Sequence, residues 1–118
     1  MRVTACVAAV MFPVLSGCAL IQPDSSELYG DMSESDVQLA ATAMQVGLEN
    51  RPDGDAESWA NPETGRQGTI EPVKTYVSDK GYFCRRYREE IERPDGMHGA
   101  TLNDACRNDD GVWVWRSI

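Results

Sequence analysis

The segment GYFCRRYREE places a cysteine next to several arginines: Cys84 is followed by Arg85, Arg86 and Arg88. Nearby positive charge lowers the pKa of a thiol and stabilises the thiolate, which is the nucleophilic form. The same cysteine could instead be half of a structural disulfide. The choice between the two depends on whether the protein folds in a reducing or an oxidising compartment.

Few other residues could support catalysis or metal binding. His98 is the only histidine and lies in the turn-rich segment DGMHGAT, which is typical of an exposed polar residue. With one histidine, neither a Cys/His dyad nor a zinc site can be assembled convincingly. Asp53, Asp55 and Glu57 alternate as calcium ligands do, but the glycine and glutamate of an EF-hand loop are missing from the required positions. We therefore expect a protein that is not an enzyme and needs no cofactor or metal.

The N terminus has the layout of an export signal. Arg2 is its one charge, an apolar run follows from Val3 to Leu15, and small residues precede Cys18. The run is too short for an ordinary membrane span. The end of this segment, LSGC, resembles the lipobox of bacterial lipoproteins. That resemblance implies a signal peptide over residues 1–17, cleavage before Cys18, and attachment of lipid, including palmitate, to Cys18.

The residues after the lipobox predict where the protein resides. Ala19 follows the cysteine in place of the Asp that commonly retains lipoproteins in the inner membrane. By that resemblance we expect an outer-membrane protein, on the periplasmic face or at the cell surface. Residues 18–32 are mostly polar and predict a lipidated N terminus with a flexible tether, and residues 33–118 predict the folded domain.

Counting the cysteines now limits their chemistry. Cys6 would leave with the signal peptide and Cys18 would carry lipid, so Cys84 and Cys106 remain. Two thiols in an oxidising compartment pair by default. We therefore predict a Cys84–Cys106 disulfide, which for a loop of about twenty residues should contribute about 3 kcal/mol to stability.

Charge excludes one class of partner. The chain has 118 residues and a formal net charge of −8, which becomes about −9 when Arg2 is removed with the signal. Nucleic-acid binding depends on clustered Lys and Arg that displace counterions from phosphates. An acidic balance argues against such a partner.

One helix is predicted in the segment MSESDVQLAATAMQVGLEN. Ser33 can cap its start, with Asp36 three residues later, and Asn50, Pro52 and Gly54 end it. Apolar residues then recur at helical spacing along one face. The predicted buried face consists of Val37, Ala40, Ala41, Met44 and Leu48.

After Pro52 the apolar period changes to two, and glycine-containing turns recur at short intervals. Candidate strands are 56–60, 67–78, 82–92, 98–107 and 112–117, although the segment at 82–92 could also begin a helix. Short connections favour an antiparallel meander. The predicted fold is α+β, with one N-terminal helix packed on about four to five strands.

Three motif segments together resemble a known family. Trp59 to Pro72 reads W-x-N-P-x-T-G-x-x-G-x-I-x-P, Tyr76 to Tyr87 reads Y-x-x-x-x-G-x-x-C-R-x-Y, and Ala105 to Trp113 reads A-C-R-x-x-D-G-x-W. Their order resembles the proteobacterial surface-antigen lipoproteins that include the rickettsial seventeen-kilodalton antigen. The glycine-rich stretch that many members carry between anchor and domain is missing. The resemblance implies an address in the cell envelope and an architecture, without a mechanism.

Two functions remain as expectations. The first is a non-enzymatic outer-membrane lipoprotein that presents a small disulfide-tied domain to another envelope protein. The second is an inhibitor or ligand-binding module, comparable with lipoproteins that block lysozyme, with the turns RPDGMHG and NDDG as candidate inhibitory loops. Tryptophans on strands are usually packing residues. The candidate partner-binding residues are Arg85, Arg86, Arg88, Trp113 and Trp115.

Overall fold

The computed structural model describes residues 29–116. The predicted signal peptide, Cys18 and the first part of the predicted tether lie outside this range. Within it, no helix is both long enough and apolar enough to span a membrane.

Helix α1 spans Glu34–Asn50 and begins where the sequence predicts. The Ser33 hydroxyl accepts a hydrogen bond from the backbone N–H of Asp36 at 3.1 Å, and the Asp36 carboxylate accepts one from the backbone N–H of Ser33 at 3.0 Å. This reciprocal pair is a capping box. At the other end, the N–H of Arg51 donates to the carbonyl of Gly47 at 2.9 Å.

The buried face of α1 is rotated relative to the prediction. Val37 and Ala41, which we assigned to that face, are exposed. Gly47 supplies a physical reason, because a Cβ at this position would lie 3.0 Å from the Cβ of Glu57. The absence of a side chain at Gly47 therefore lets the helix approach the sheet closely along the face that contains this residue. The buried residues of α1 are Asp36, Ala40, Ala43, Gly47 and Leu48.

Five strands follow the helix, close to the predicted boundaries. They are β1 (Glu57–Ala60), β2 (Gln67–Val77), β3 (Phe83–Glu92), β4 (His98–Arg107) and β5 (Trp113–Trp115). Each strand pairs antiparallel with the next, so the sheet order is β1-β2-β3-β4-β5. Gly81 and Gly96 adopt φ of +89° and +90° in two of the turns, a conformation that disfavours other residues. The predicted α+β meander is confirmed, and the segment that could also have begun a helix forms strand β3.

The two faces of the sheet differ in what covers them. α1 packs on the face that we call the covered face, and the opposite face, which faces away from the helix, is the open face. The pairing register of β2 shifts between Pro72 and Lys74. Pro72 therefore points towards the helix, whereas Lys74 lies on the open face. The core on the covered face comprises Ala40, Ala43, Leu48, Trp59, Ile70, Tyr87, Ala105 and Trp113.

The residues just before α1 also contact the domain. The hydroxyl of Tyr29 donates to the carboxylate of Glu89 at 2.5 Å, and Met32 packs against the core. Asp31 accepts hydrogen bonds from both terminal nitrogens of Arg66 at 3.2 Å. The last four residues of the predicted tether are therefore held against the sheet.

Candidate functional site

Cys84 and Cys106 form a disulfide, as predicted. They are direct partners in the register of β3 and β4, so antiparallel pairing alone brings their side chains together on the open face. No cysteine among the described residues is a free thiol. The reactive-thiol interpretation of the CRR segment therefore has no support at Cys84.

Arg85 does not lie on the surface that we predicted for it. Its side chain points to the covered face and is buried under the end of α1. The guanidinium donates to the carbonyls of Leu48 at 2.7 Å and Arg51 at 2.8 Å, and to the carboxylate of Asp53 at 2.7 Å. These carbonyls belong to the end of the helix, where they lack intrahelical partners. Arg85 thus serves as a cap for α1.

The second Cys-Arg pair also ties the helix to the sheet. Arg107 donates to the carboxylate of Glu49 at 3.0 Å, and the indole N–H of Trp113 donates to the same oxygen at 2.9 Å. These two hydrogen bonds lower the pKa of Glu49. In each pair the cysteine lies on the open face and the arginine on the covered face, so the repeated motif combines a cross-strand bond with a helix contact.

Trp113 is buried, so it does not belong to an exposed binding patch. Its backbone carbonyl accepts a hydrogen bond from the side-chain amide of Gln45 at 2.7 Å, and its backbone N–H donates to that amide's oxygen at 2.9 Å. A side chain of α1 therefore occupies the outer edge of β5 at this residue. Trp115, by contrast, is 66% exposed, and its indole N–H donates to the hydroxyl of Tyr87 at 2.6 Å.

The N-P-x-T-G motif is a docking loop for the start of α1. Asp36 is 1% exposed and accepts hydrogen bonds from the amide of Asn61 at 2.8 Å and the hydroxyl of Thr64 at 2.6 Å. Burial tends to raise the pKa of Asp36, but the hydrogen bonds from Thr64, Ser33 and Asn61 outweigh it and hold that pKa below its ordinary value. The sequence reveals Asp36 as a capping residue but not as the centre of this network.

The open face carries the two remaining arginines of the CRR segment. Arg86 donates to the carboxylate of Asp104 at 2.8 Å, and Tyr76 donates its hydroxyl hydrogen to the same carboxylate. Burial tends to raise the pKa of Asp104, but these two donors hold it below its ordinary value. Arg88 pairs with Glu90 at 3.3 Å. Both arginines remain partly exposed, so they are the predicted partner-binding arginines that solvent can reach.

Two concave regions lie beside this cluster. One, of about 540 Å³, is formed between the β2–β3 and β4–β5 turns, and the other, of about 600 Å³, lies towards β1. The first is lined by residues including Lys80, Tyr82, Cys106, Asn108, Val114 and Arg116. The second is lined by residues including Ser58, Ala60, Gln67, Thr69, Glu90 and His98. Both are open depressions bordering the open face.

The residues considered for catalysis or calcium binding lie apart from one another or already form ion pairs with arginines. His98 is exposed at the start of β4. Asp53 accepts from Arg85, and Glu57 forms an ion pair with Arg51 at 2.9 Å. Within residues 29–116, no three His, Cys, Asp or Glu side chains are placed to hold a metal ion.

The candidate inhibitory loops are tight turns between strands. In RPDGMHG, the N–H of Arg93 donates to the carbonyl of Met97 at 2.8 Å, which closes the β3–β4 hairpin. In NDDG, Asn108 and Val112 close the β4–β5 hairpin in the same way at 2.8 Å. Neither turn projects far beyond the strands that it joins.

Glu89 is a buried carboxylate that sequence reasoning missed. Glu89 lies on the covered face and is 6% exposed. Burial raises its pKa, and the hydrogen bond from Tyr29 only partly opposes that effect. The alternation along β3 could have flagged this position, because it places Glu89 on the same face as Tyr87 and Ile91.

Comparison with known proteins identifies the family to which these motifs belong. A family model described as 17 kDa outer membrane surface antigen matches residues 47–114, a range that holds the N-P-x-T-G loop and both Cys-Arg pairs. The chain belongs to this family. The resemblance predicted from the three motif segments is thereby confirmed. The family's name gives a location at the outer membrane and an antigenic character, and it names no reaction.

Individual relatives agree with the family assignment. The chain is 34% identical over 88 residues to the 17 kDa surface antigen of Rickettsia bellii (strain RML369-C), a match that covers 75% of this chain and 55% of that protein. It is 37% identical over 82 residues to the 17 kDa surface antigen of Rickettsia felis, covering 70% and 51%. The chain thus spans about half the length of these relatives. No solved structure matches the chain.

These similarities support an envelope or surface location and a surface-antigen character. Within residues 29–116, several of the shared motif residues contact the helix. Asn61, Thr64, Arg85, Arg107 and Trp113 all attach α1 to the sheet. These motif residues therefore have an architectural role on the covered face, while Tyr76, Cys84 and Cys106 of the same motifs lie on the open face.

Proposed function

We propose that this protein is a non-enzymatic outer-membrane lipoprotein, anchored through Cys18, whose domain binds another envelope protein through the open face. This proposal rests on the different roles of the two faces of the sheet. The covered face uses the family's motif residues to hold the helix. The open face presents partly exposed Arg86 and Arg88 beside Leu102, which is 63% exposed.

The composition of the open face suits a reversible protein contact. Interface regions are enriched in arginine, and exposed charges around an apolar centre give specificity at modest affinity. A disulfide joins β3 and β4 within this face, which limits its deformation. A surface that keeps its shape loses less conformational entropy on binding.

Fractionation tests the anchor. Replacing Cys18 with alanine should release the protein from the membrane fraction, because the acylation site is lost. Cys6→Ala is the matched control, since it changes a cysteine of the same predicted signal and should leave the protein in membranes. If Cys18→Ala stays with the membranes, the lipoprotein proposal is wrong.

Photocrosslinking tests the interaction surface. A photoreactive phenylalanine analogue at Leu102, on the open face, should give a covalent adduct with a protein in intact cells. The same probe at Val37, on the outward side of α1 and 50% exposed, is the control and should give none. An adduct with a lysozyme would favour the inhibitor interpretation, and the absence of any adduct at Leu102 would contradict an interface there.

A further inference from the structure

Charge is divided along the open face. The register of β2, β3 and β4 places Lys74, Arg86 and Asp104 in one row near the turn ends of β2 and β4. Arg116 joins this end, because its guanidinium lies 3.9 Å from the sulfur of Cys84. One carboxylate lies among these three cations, and the adjoining β2–β3 turn adds one charge of each sign, Asp79 and Lys80, so the row itself is positive.

The other end of the open face is acidic. Glu90 and Glu92 lie on β3, two and four residues beyond Arg88, and their strand neighbours on this face are Thr69 and Gln67. Glu92 accepts a hydrogen bond from the neutral amide of Gln67 at 2.9 Å. The acidic end therefore keeps a negative charge even though Glu90 also contacts Arg88.

Charges at the positive end are available to a partner. Lys74 and Arg116 form no ion pair with any residue in the range 29–116. Their cationic groups lie 5.7 Å and 6.0 Å from the centre of the Tyr76 ring. In a chain with a net charge of −8, this concentration of unpaired cations on one surface points to an acidic counterpart.

We propose that the acidic counterpart is the other end of the same face on a second copy of this chain, so that two open faces pack in a twofold dimer. This inference rests on the proposed role of the open face as an interaction surface. In a twofold interface the same patch must be complementary to itself. A face that is positive at one end and negative at the other meets this condition when the two copies run in opposite directions.

The register defines the contacts of such a dimer. A twofold axis that crosses the strands at the row of Glu71, Arg88 and Leu102 places Arg86 opposite the second copy's Glu90. Lys74 lies one strand away from that same glutamate. Leu102 lies near the axis and meets its own copy, which buries the most exposed aliphatic side chain of the face. Arg88 and Glu71 also approach their own copies, but they are cross-strand neighbours of opposite charge, so each lies diagonally opposite the other residue of the second copy.

The size of the face predicts a weak dimer. Four or five strands of this length form a surface of roughly 20 Å by 30 Å, or about 600 Å² per copy. This area is below the roughly 800 Å² per partner of a standard stable interface. Anchoring both copies in one membrane would raise their effective concentration and favour association. We expect the dimer to weaken as salt concentration rises.

Charge reversal tests the dimer in the full-length chain carrying the photoprobe at Leu102. The unmodified face should give an adduct of twice the chain mass. Lys74→Glu and Glu90→Lys should each lower its yield about tenfold, because twofold symmetry repeats each altered contact. The double variant Lys74→Glu/Glu90→Lys should restore part of the adduct, since the glutamate introduced at position 74 attracts the lysine introduced at position 90 of the second copy and offsets its repulsion by Arg86.

Each result has a definite meaning. A double variant that gives no more adduct than Glu90→Lys alone, with all variants unfolding at the same temperature, would overturn the dimer. An adduct of Leu102 with a different protein alone would also overturn the dimer, while supporting the proposed partner-binding function. No adduct of any kind would contradict both proposals.

Discussion

Two buried carboxylates of this domain differ in the number of hydrogen-bond donors around them. This number determines whether the pKa of each carboxylate is lowered or raised. Asp36 accepts hydrogen bonds from Ser33, Asn61 and Thr64, and its pKa lies below the ordinary value. Glu89 accepts one from Tyr29, and burial raises its pKa. Asp36 therefore stabilises the fold when it is ionised, whereas ionisation of Glu89 destabilises the fold.

The Asp36 network gives a prediction about stability. We expect Asp36→Asn to lower the free energy of unfolding by about 2 kcal/mol, because the substitution removes a charged acceptor and leaves buried donors without a good partner. Urea unfolding monitored by circular dichroism measures the change. Glu34→Gln, an exposed acid in the same helical turn, is the control and should change stability little. Equal effects of the two variants would contradict this role for Asp36.

Glu89 gives a prediction about pH. Because the pKa of Glu89 is raised in the folded state, the folded chain keeps a proton that the unfolded chain has released just above pH 4.5. The free energy of unfolding contributed by this group therefore falls as pH rises through that region. In Glu89→Gln this decline should disappear, and the variant should gain stability relative to the unmodified chain at neutral pH. Unfolding curves at several pH values, with Glu92→Gln as an exposed control, test this; an unchanged slope would contradict it.

Individual residue contacts were predictable from the sequence only where they are local. The capping box of Ser33 and Asp36 was predicted because its partners are three residues apart. The bonds of Asp36 to Asn61 and Thr64 join residues 25 and 28 positions apart, and no local pattern announces them. Arg85 was assigned to the surface for the same reason, since its carbonyl partners lie more than 30 residues earlier.

At the scale of elements, strand boundaries were easier to predict than the orientation of the helix. Glycine-containing turns fix where β2, β3, β4 and β5 begin and end, so the meander follows from local chemistry. The buried face of α1 depends instead on which side chains the sheet can accommodate. Gly47 faces β1 and Val37 faces solvent, a result that apolar periodicity alone does not give.

The attachment of α1 to the sheet predicts a large effect of Arg85. Arg85→Met should lower the free energy of unfolding by about 3 kcal/mol, because it leaves helix carbonyls and Asp53 without their donor. Arg88→Met, on the same strand but on the open face, removes one exposed ion pair and should change stability by less than about 1 kcal/mol. Thermal and urea unfolding of the two variants give the comparison. A smaller loss for Arg85→Met than for Arg88→Met would refute the capping role.

For the whole molecule, one covalent bond joins the neighbouring strands β3 and β4 near one end of the sheet. Cys84 is fully buried and its partner lies 22 residues later in the chain. Closing a loop of this length removes conformational freedom from the unfolded chain. The disulfide therefore stabilises the whole domain and not only the two strands that it joins.

Loss of this disulfide should lower the free energy of unfolding by about 3 kcal/mol. Urea unfolding of the purified protein with and without reductant measures the difference, and the double variant Cys84→Ser/Cys106→Ser provides a second route to the same state. Thiol labelling of the native protein without reductant should find neither cysteine reactive. Strong labelling at Cys84 would revive the reactive-thiol interpretation.

The side-chain amide of Gln45 limits how copies of this domain can pair through the edges of their sheets. A sheet can grow from copy to copy only if both of its edges accept another strand. At β5 the backbone N–H and carbonyl of Trp113 are already occupied by Gln45, and the strand is only three residues long. Edge-to-edge pairing therefore has only β1 available, and this contact by itself joins two molecules without extending the sheet further.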